Sequence, residues 1–168
     1  MAAGADPVAD LARGDMDLLV GPYESRRADL HSSALYDDRF VCVMRHDHPL
    51  TTATTAATTG ATTGATTTEA ANAADLTLES LTAVGHVRVQ TTEREVDPFD
   101  SVLTAAGMSR RVSRRVPNCW LGAALVADTD LVMVVPRSIA STVSAALPLV
   151  VRDLPVEPTP VRVHAVWH

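Results

Sequence analysis

The chain has 168 residues, enough for one domain of ordinary size or two small lobes. A hydrophobic content of 46% supplies a core, while a net charge of −6 excludes nucleic-acid binding over the whole surface, because phosphate contacts need clustered cations. Cys42 and Cys119 make no disulfide framework, and no apolar run is long enough for a membrane-spanning helix.

The N-terminus "MAAGADPVAD" has neither a basic start nor an apolar core, so it does not read as a secretory signal, and the cytoplasm is the expected location. A helix is expected from Asp6 as cap and Pro7 as its first residue to Gly14 just past its end. Residues 16–20 read as a parallel strand covered on both faces, closed by Gly21-Pro22. Residues 23–33 read as a polar loop. A second strand is expected over Arg39 to Arg45.

The composition then changes. Residues 51–68 use only Thr, Ala and Gly, with no charge and no large apolar side chain to offset the entropy of ordering. Residues 51–74 are therefore expected to be a disordered surface insert.

Order resumes with a short helix at "DLTLESL", capped by Asp75 or Thr77, and an alternating strand at "AVGHVRVQT". "VDPFDSVLTAAG" is the best-specified helix. Asp97 caps it, Pro98 opens it, Gly107 closes it, and Phe99, Val102, Leu103 and Ala106 form its apolar face. A polar strand at "RRVSRRVP", a helix at "NCWLGAALVADTD", a buried strand at "LVMVV" and a helix at "PRSIASTVSAA" follow. "LVVRDL" and "VRVHAVW" are closing strands. This alternation predicts an α/β fold with mainly parallel sheets.

"LARGDMDLLVGP", "LYDDRFVCVMRHDHPL", the long stretch from "VDPFDSVLTAAG" to "VVPRSIAS", and "VRVHAVWH" together resemble the effector-binding domain of LysR-type transcriptional regulators. The likeness spans residues 7–50 and 75–168. It implies a type 2 periplasmic-binding-protein fold, in which two α/β lobes joined by crossing strands hold a small molecule in the cleft between them. It implies residues 1–50 as a partial first lobe with a crossing strand, 51–74 as the insert, 75–155 as the second lobe and 156–168 as the return strand. Against the family pattern, the first strand and helix of lobe one, the helix-turn-helix and a last helix are expected to be missing, so the chain is expected to be truncated at both ends with lobe one incomplete.

In open α/β sheets ligands bind beyond the carboxyl ends of strands, where helix N-termini present free N–H groups. That rule selects Gly21, Pro22 and Tyr23 in lobe one, and Gln90, Thr91, Thr92, Asn118, Cys119 and Trp120 in lobe two. Thr92 and Asn118 have a plainer role as helix caps. The expected partner is a small-molecule effector, with an anionic or an aromatic one both open. No cofactor, no metal, no membrane and no direct DNA contact by this chain are expected, and a homo-oligomer is left open. No catalytic residue is assigned. An enzyme or a transporter's solute-binding protein of the same architecture is the alternative.

Other clusters read as structural. His46 and His48 would share a strand face but have no regularly spaced partners, so metal binding is not expected. Cys119 as a nucleophile would need His164 or His168 beside it. Glu93, Glu95 and Asp97 form an acidic cluster, with Asp97 better explained as a cap. Arg110, Arg111, Arg114 and Arg115 are expected on a solvated strand, about two to each face, with an anionic ligand or DNA the minority reading. Trp120 and Trp167 are expected in the core or the wall of a cleft.

Overall fold

The computed structural model describes residues 6–25, 27–52, 76–90 and 97–168. In chain order its elements are α1 (Pro7–Ala12), β1 (Leu18–Gly21), β2 (His31–Asp38), β3 (Phe40–Arg45), α2 (Pro49–Thr52), α3 (Leu78–Ala83), β4 (Gly85–Val89), α4 (Pro98–Ala105), β5 (Arg111–Val116), α5 (Cys119–Ala127), β6 (Leu131–Pro136), α6 (Arg137–Ser144), β7 (Leu149–Asp153) and β8 (Val161–Trp167). They divide into two compact units, residues 1–39 with 159–168, and residues 40–158.

The helix boundaries follow from local chemistry. Asp6 accepts from the N–H groups of Val8 and Ala9 to start α1, and Gly14 leaves it with φ 78°. Asp97 accepts from Phe99 N–H to start α4, and Gly107 closes it with φ 70°. Thr77, one of the two expected caps, starts α3 in a reciprocal box with Ser80.

The first unit is a three-stranded sheet in the order β1-β8-β2, antiparallel throughout. Leu11, Leu30 and Val166 are its buried core, flanked by Val8, Ala12, Met16 and Leu19. Two expectations are corrected here. β1 is an antiparallel edge strand, and Leu18 and Val20 are each more than half exposed, so it is not covered on both faces. β2 occupies part of the expected loop; its mostly exposed residues carry no apolar periodicity, and its ladder to β8 forms it.

The second unit has five strands in the order β5-β4-β6-β3-β7. β4 is parallel to β5 and β6, whereas β3 is antiparallel to β6 and to β7. The α/β class stands, but parallel pairing is confined to β5-β4-β6. Val41, Val43, Val87, Met133 and Val135 pack with Val116, Ala123, Val126, Ala140 and Val143 in one core cluster beneath α5 and α6. Alternation along the strands sends Cys42, Met44, His86, Val132 and Val134 to the opposite face, and all are buried. Leu81, Phe99 and Leu103 of α3 and α4 are buried as well, so helices follow both faces of the sheet. This explains why "FVCVM" and "LVMVV" are continuous apolar runs, and why β4 begins fully buried instead of alternating. Gly122 lets α5 approach closely, since a Cβ there would lie 2.6 Å from Met133 Sδ.

The expected disordered insert lies almost wholly outside the described residues, except that Thr51 and Thr52 continue the turn of α2.

Candidate functional site

Because β4, β5 and β6 run in one direction, their carboxyl ends share one edge of the second unit. Gln90 follows β4, and its N–H donates to Val116 O at 2.9 Å, tying the end of β4 to the end of β5. Asn118 follows β5 and starts α5, its Oδ1 accepting from Leu121 N–H at 2.9 Å. Cys119 is half-buried on the first turn, and Trp120 beside it is 53% exposed. β6 ends at Pro136, which starts α6 with no side-chain acceptor for the first N–H groups. Arg137, the first residue of α6, pairs with Asp153 at the end of β7. The antiparallel β3 places Phe40 opposite Pro136 at this edge. One edge therefore gathers Gln90, Asn118, Cys119, Trp120 and Arg137. Two helix N-termini and a cation suit an anionic group, and an exposed indole suits an aromatic one.

Thr91 and Thr92 lie outside the described residues, as do Glu93 and Glu95. Gly21, Pro22 and Tyr23 belong to the first unit. The Tyr23 ring lies so close over Gly21 that a Cβ at Gly21 would come within 2.8 Å of it. The rule that selected these three rested on a parallel strand, and β1 is antiparallel. Arg137 was missed by the sequence reading; its signal is a charged residue just after Pro136 at the end of a buried strand.

The two histidines of "HDH" do not share a strand face. β3 ends at Arg45, His46 is exposed, and His48 is fully buried. His48 Nε2 donates to Asp130 O at 3.2 Å and Nδ1 accepts from Leu50 N–H at 3.1 Å, so both ring nitrogens are engaged in holding the turn. Among the described residues no group of three His, Cys, Asp or Glu could hold a metal. His164 Nδ1 lies 3.3 Å from Ser32 Oγ, and His168 Nε2 donates to Leu11 O at 2.6 Å, both within the first unit. Cys42 is buried, which pushes its thiol up to about 12 and leaves it unreactive.

The arginine cluster is not uniform. Arg110 precedes β5 and its side chain is 2% exposed. It donates to Asp97 Oδ2 at 2.5 Å and to Asp100 Oδ1 at 2.6 Å, and lies 5.3 Å from the centre of the Phe99 ring. Its Nη1 also donates to His86 Nδ1 at 3.4 Å, while His86 Nε2 donates to Leu81 O at 2.9 Å. Burial, reinforced by the Arg110 charge, lowers the His86 imidazole to about 4. This network was not expected from sequence. It clamps α4 to the sheet instead of facing solvent.

A mixed α/β unit of this topology, with a second small sheet formed by both ends of the chain, defines the periplasmic-binding-protein-like fold of effector-binding domains. Residues 64–168 match the LysR substrate binding domain model, and the chain belongs to that family. It is 35% identical over 165 residues to the HTH-type transcriptional regulator SyrM of Rhizobium etli, covering 96% of this chain and 42% of that protein. The chain thus spans less than half the length of this curated relative. Among solved structures it resembles the probable transcriptional regulator PA0477 from Pseudomonas aeruginosa, with a TM-score of 0.71, 24% identity, and coverage of 96% of this chain and 47% of that one. It also resembles the effector binding domain of QuiR in complex with shikimate, with a TM-score of 0.68, 14% identity, and coverage of 99% and 68%. Among the described residues no helix is long and apolar enough to cross a membrane.

Proposed function

We propose that this chain is the effector-sensing part of a transcriptional regulator and takes a small carboxylate-bearing molecule at the carboxyl edge of β4, β5 and β6. The supporting observation is that the ends of β5 and β6 turn directly into α5 and α6 at this one edge, with Arg137 beside them. Gln90, Asn118, Cys119 and Trp120 contact the effector in this reading, Thr91 and Thr92 remain proposed contacts, and Gly21, Pro22 and Tyr23 of the first unit lose the parallel-strand argument that selected them. The shikimate held by QuiR supports a carboxylate of small-metabolite size. The domain works without catalysis and without touching DNA itself, in the cytoplasm. An effector that binds one conformation better than another shifts the population toward it.

Trp120 is the built-in reporter. The chain has two tryptophans, so Trp167→Phe leaves one indole, at the proposed site. Titration with shikimate and a panel of aromatic carboxylates is expected to give saturable fluorescence change and a raised melting temperature with at least one compound. A flat response in both measurements across the panel would count against the reading.

A further inference from the structure

The strand order β5-β4-β6-β3-β7 puts β6 in the middle of its sheet. β3 is antiparallel to both β6 and β7, so β7 runs with β4, β5 and β6, and its carboxyl end lies at the candidate edge. Asp153 is the last residue of β7. Arg137 stands just past the end of β6, as the first residue of α6. Two strand spacings, roughly 10 Å, separate it from β7 on one side and from β5, with the Asn118 turn, on the other.

In the structure Arg137 is drawn to one side. Its Nη2 pairs with Asp153 Oδ1 across the start of β3, where Phe40 faces Pro136 and Val41 faces Asp153. The guanidinium is only partly engaged. Nε is buried and has no hydrogen-bond partner among the described residues. By contrast, Arg27, Arg45 and Arg162 each hold their aspartate through both Nε and Nη2. An orphaned donor costs free energy until an acceptor reaches it. Both side chains of the pair are more than a third exposed, so the pair itself stabilises little.

We propose that Arg137 is a two-position arginine, held by Asp153 in one state and turned back across β4 to the effector's carboxylate at the Asn118 turn in the other. This rests on the carboxylate reading of the edge given above and adds how occupancy is registered. The reach that spans β3 to Asp153 also spans β4 to Asn118. Turning back lets Nε and Nη2 grip the carboxylate as a fork and releases Asp153. Asp153 closes β7, the last strand before the chain leaves the second unit after Pro158, so the exchange carries occupancy from the edge to that exit. Effector and Asp153 compete for one cation, and their coupling is reciprocal.

The test measures binding of shikimate and of benzoate by Trp120 fluorescence in the full chain carrying Trp167→Phe. Because the pair is exposed, Arg137→Gln and Asp153→Asn are expected to fold, which melting curves check, and Asp153→Ser stands in if Asp153→Asn does not. Arg137→Gln should weaken whichever carboxylate binds the parent by about tenfold or more, and Asp153→Asn should tighten it by about fivefold or more. A purely structural ion pair predicts no gain, or a loss, from Asp153→Asn. In Arg137→Gln/Asp153→Asn the gain should vanish, whereas removal of a merely repelling charge would preserve it. Equal or weaker binding by Asp153→Asn, or a gain that persists without Arg137, overturns the two-position arginine and leaves the carboxylate edge standing. No saturable response to either compound in the parent and in Asp153→Asn removes the carboxylate edge itself, and this inference with it.

Discussion

Arg110 Nη2 lies 2.5 Å from Asp97 Oδ2, and the same aspartate starts α4 through its other oxygen, which accepts from Phe99 N–H at 2.9 Å. One carboxylate therefore fixes both the start of a helix and a buried cation. Because Arg110 also holds Asp100, its removal strips the cation from Asp97 and leaves Asp100 with Arg88 alone.

Arg110→Ala is accordingly expected to cost about 3–5 kcal/mol, the range for breaking a buried pair by deleting one member. Urea unfolding measures it. Arg162→Ala, which removes an exposed pair with Asp37, is the comparison and is expected to change the midpoint little. Equal losses in the two variants would show that the Arg110 network does not stabilise α4.

His86 makes stability depend on pH. Burial lowers its pKa from the usual 6.5 to about 4, so at pH values between those limits the unfolded chain binds a proton that the native state does not. The contribution is fully present above about pH 6.5, declines as pH falls, and is wholly lost below about pH 4. The loss is on the order of a few kcal/mol. His48, lowered by its own burial, acts in the same direction. His86→Gln keeps a donor toward Leu81 O and removes the titration. Its unfolding free energy should fall less steeply between pH 6.5 and 4 than that of the parent; parallel curves would refute the assignment.

What the sequence made legible was local. α4 was readable because Asp97, Pro98 and Gly107 act within the helix's own span, and α5 because Asn118 caps within three residues. The direction of β1 was not readable, since "DLLV" carries the same apolar run whether its neighbour is parallel or, as with β8, antiparallel. β2 was hidden because its one buried residue is Asp38, so no periodic apolar signal marks it. Arg110 looked like one of four equivalent arginines because its burial depends on Asp97 and Asp100 from the preceding helix. At the candidate edge the junctions after β4 and β5 were visible as polar residues following apolar strands. Arg137 is not legible because its place at the edge depends on Asp153, 16 residues away at the end of β7.

The two thiols are expected to react very differently. Cys42 is buried on β3 with its pKa raised to about 12, while Cys119 is half-buried on the first turn of α5. An alkylating reagent at neutral pH should modify Cys119 in the native protein and Cys42 only after unfolding, as followed by intact mass. Occupancy of the proposed edge by an effector should slow the Cys119 reaction. Fast native labelling of Cys42 would mean that the central sheet opens far more readily than its packing implies.

Asn118 separates the structural role of the candidate edge from its binding role. Its Oδ1 satisfies Leu121 N–H, so Asn118→Ala should cost about 1 kcal/mol of stability, as for other lost caps. Asn118→Asp keeps an acceptor at the same place and adds a charge that the start of α5 tolerates, so its melting temperature should match the parent. The same substitution puts a negative charge where the proposed effector places its carboxylate. Binding of a carboxylate identified in the Trp120 titration should then weaken by about tenfold or more, since like charges at close range in a partly desolvated site repel. Calorimetry on both variants reads the two effects apart. If Asn118→Asp is as stable as the parent and binds the carboxylate equally well, Asn118 is a cap and nothing more, and the ligand sits elsewhere along the edge.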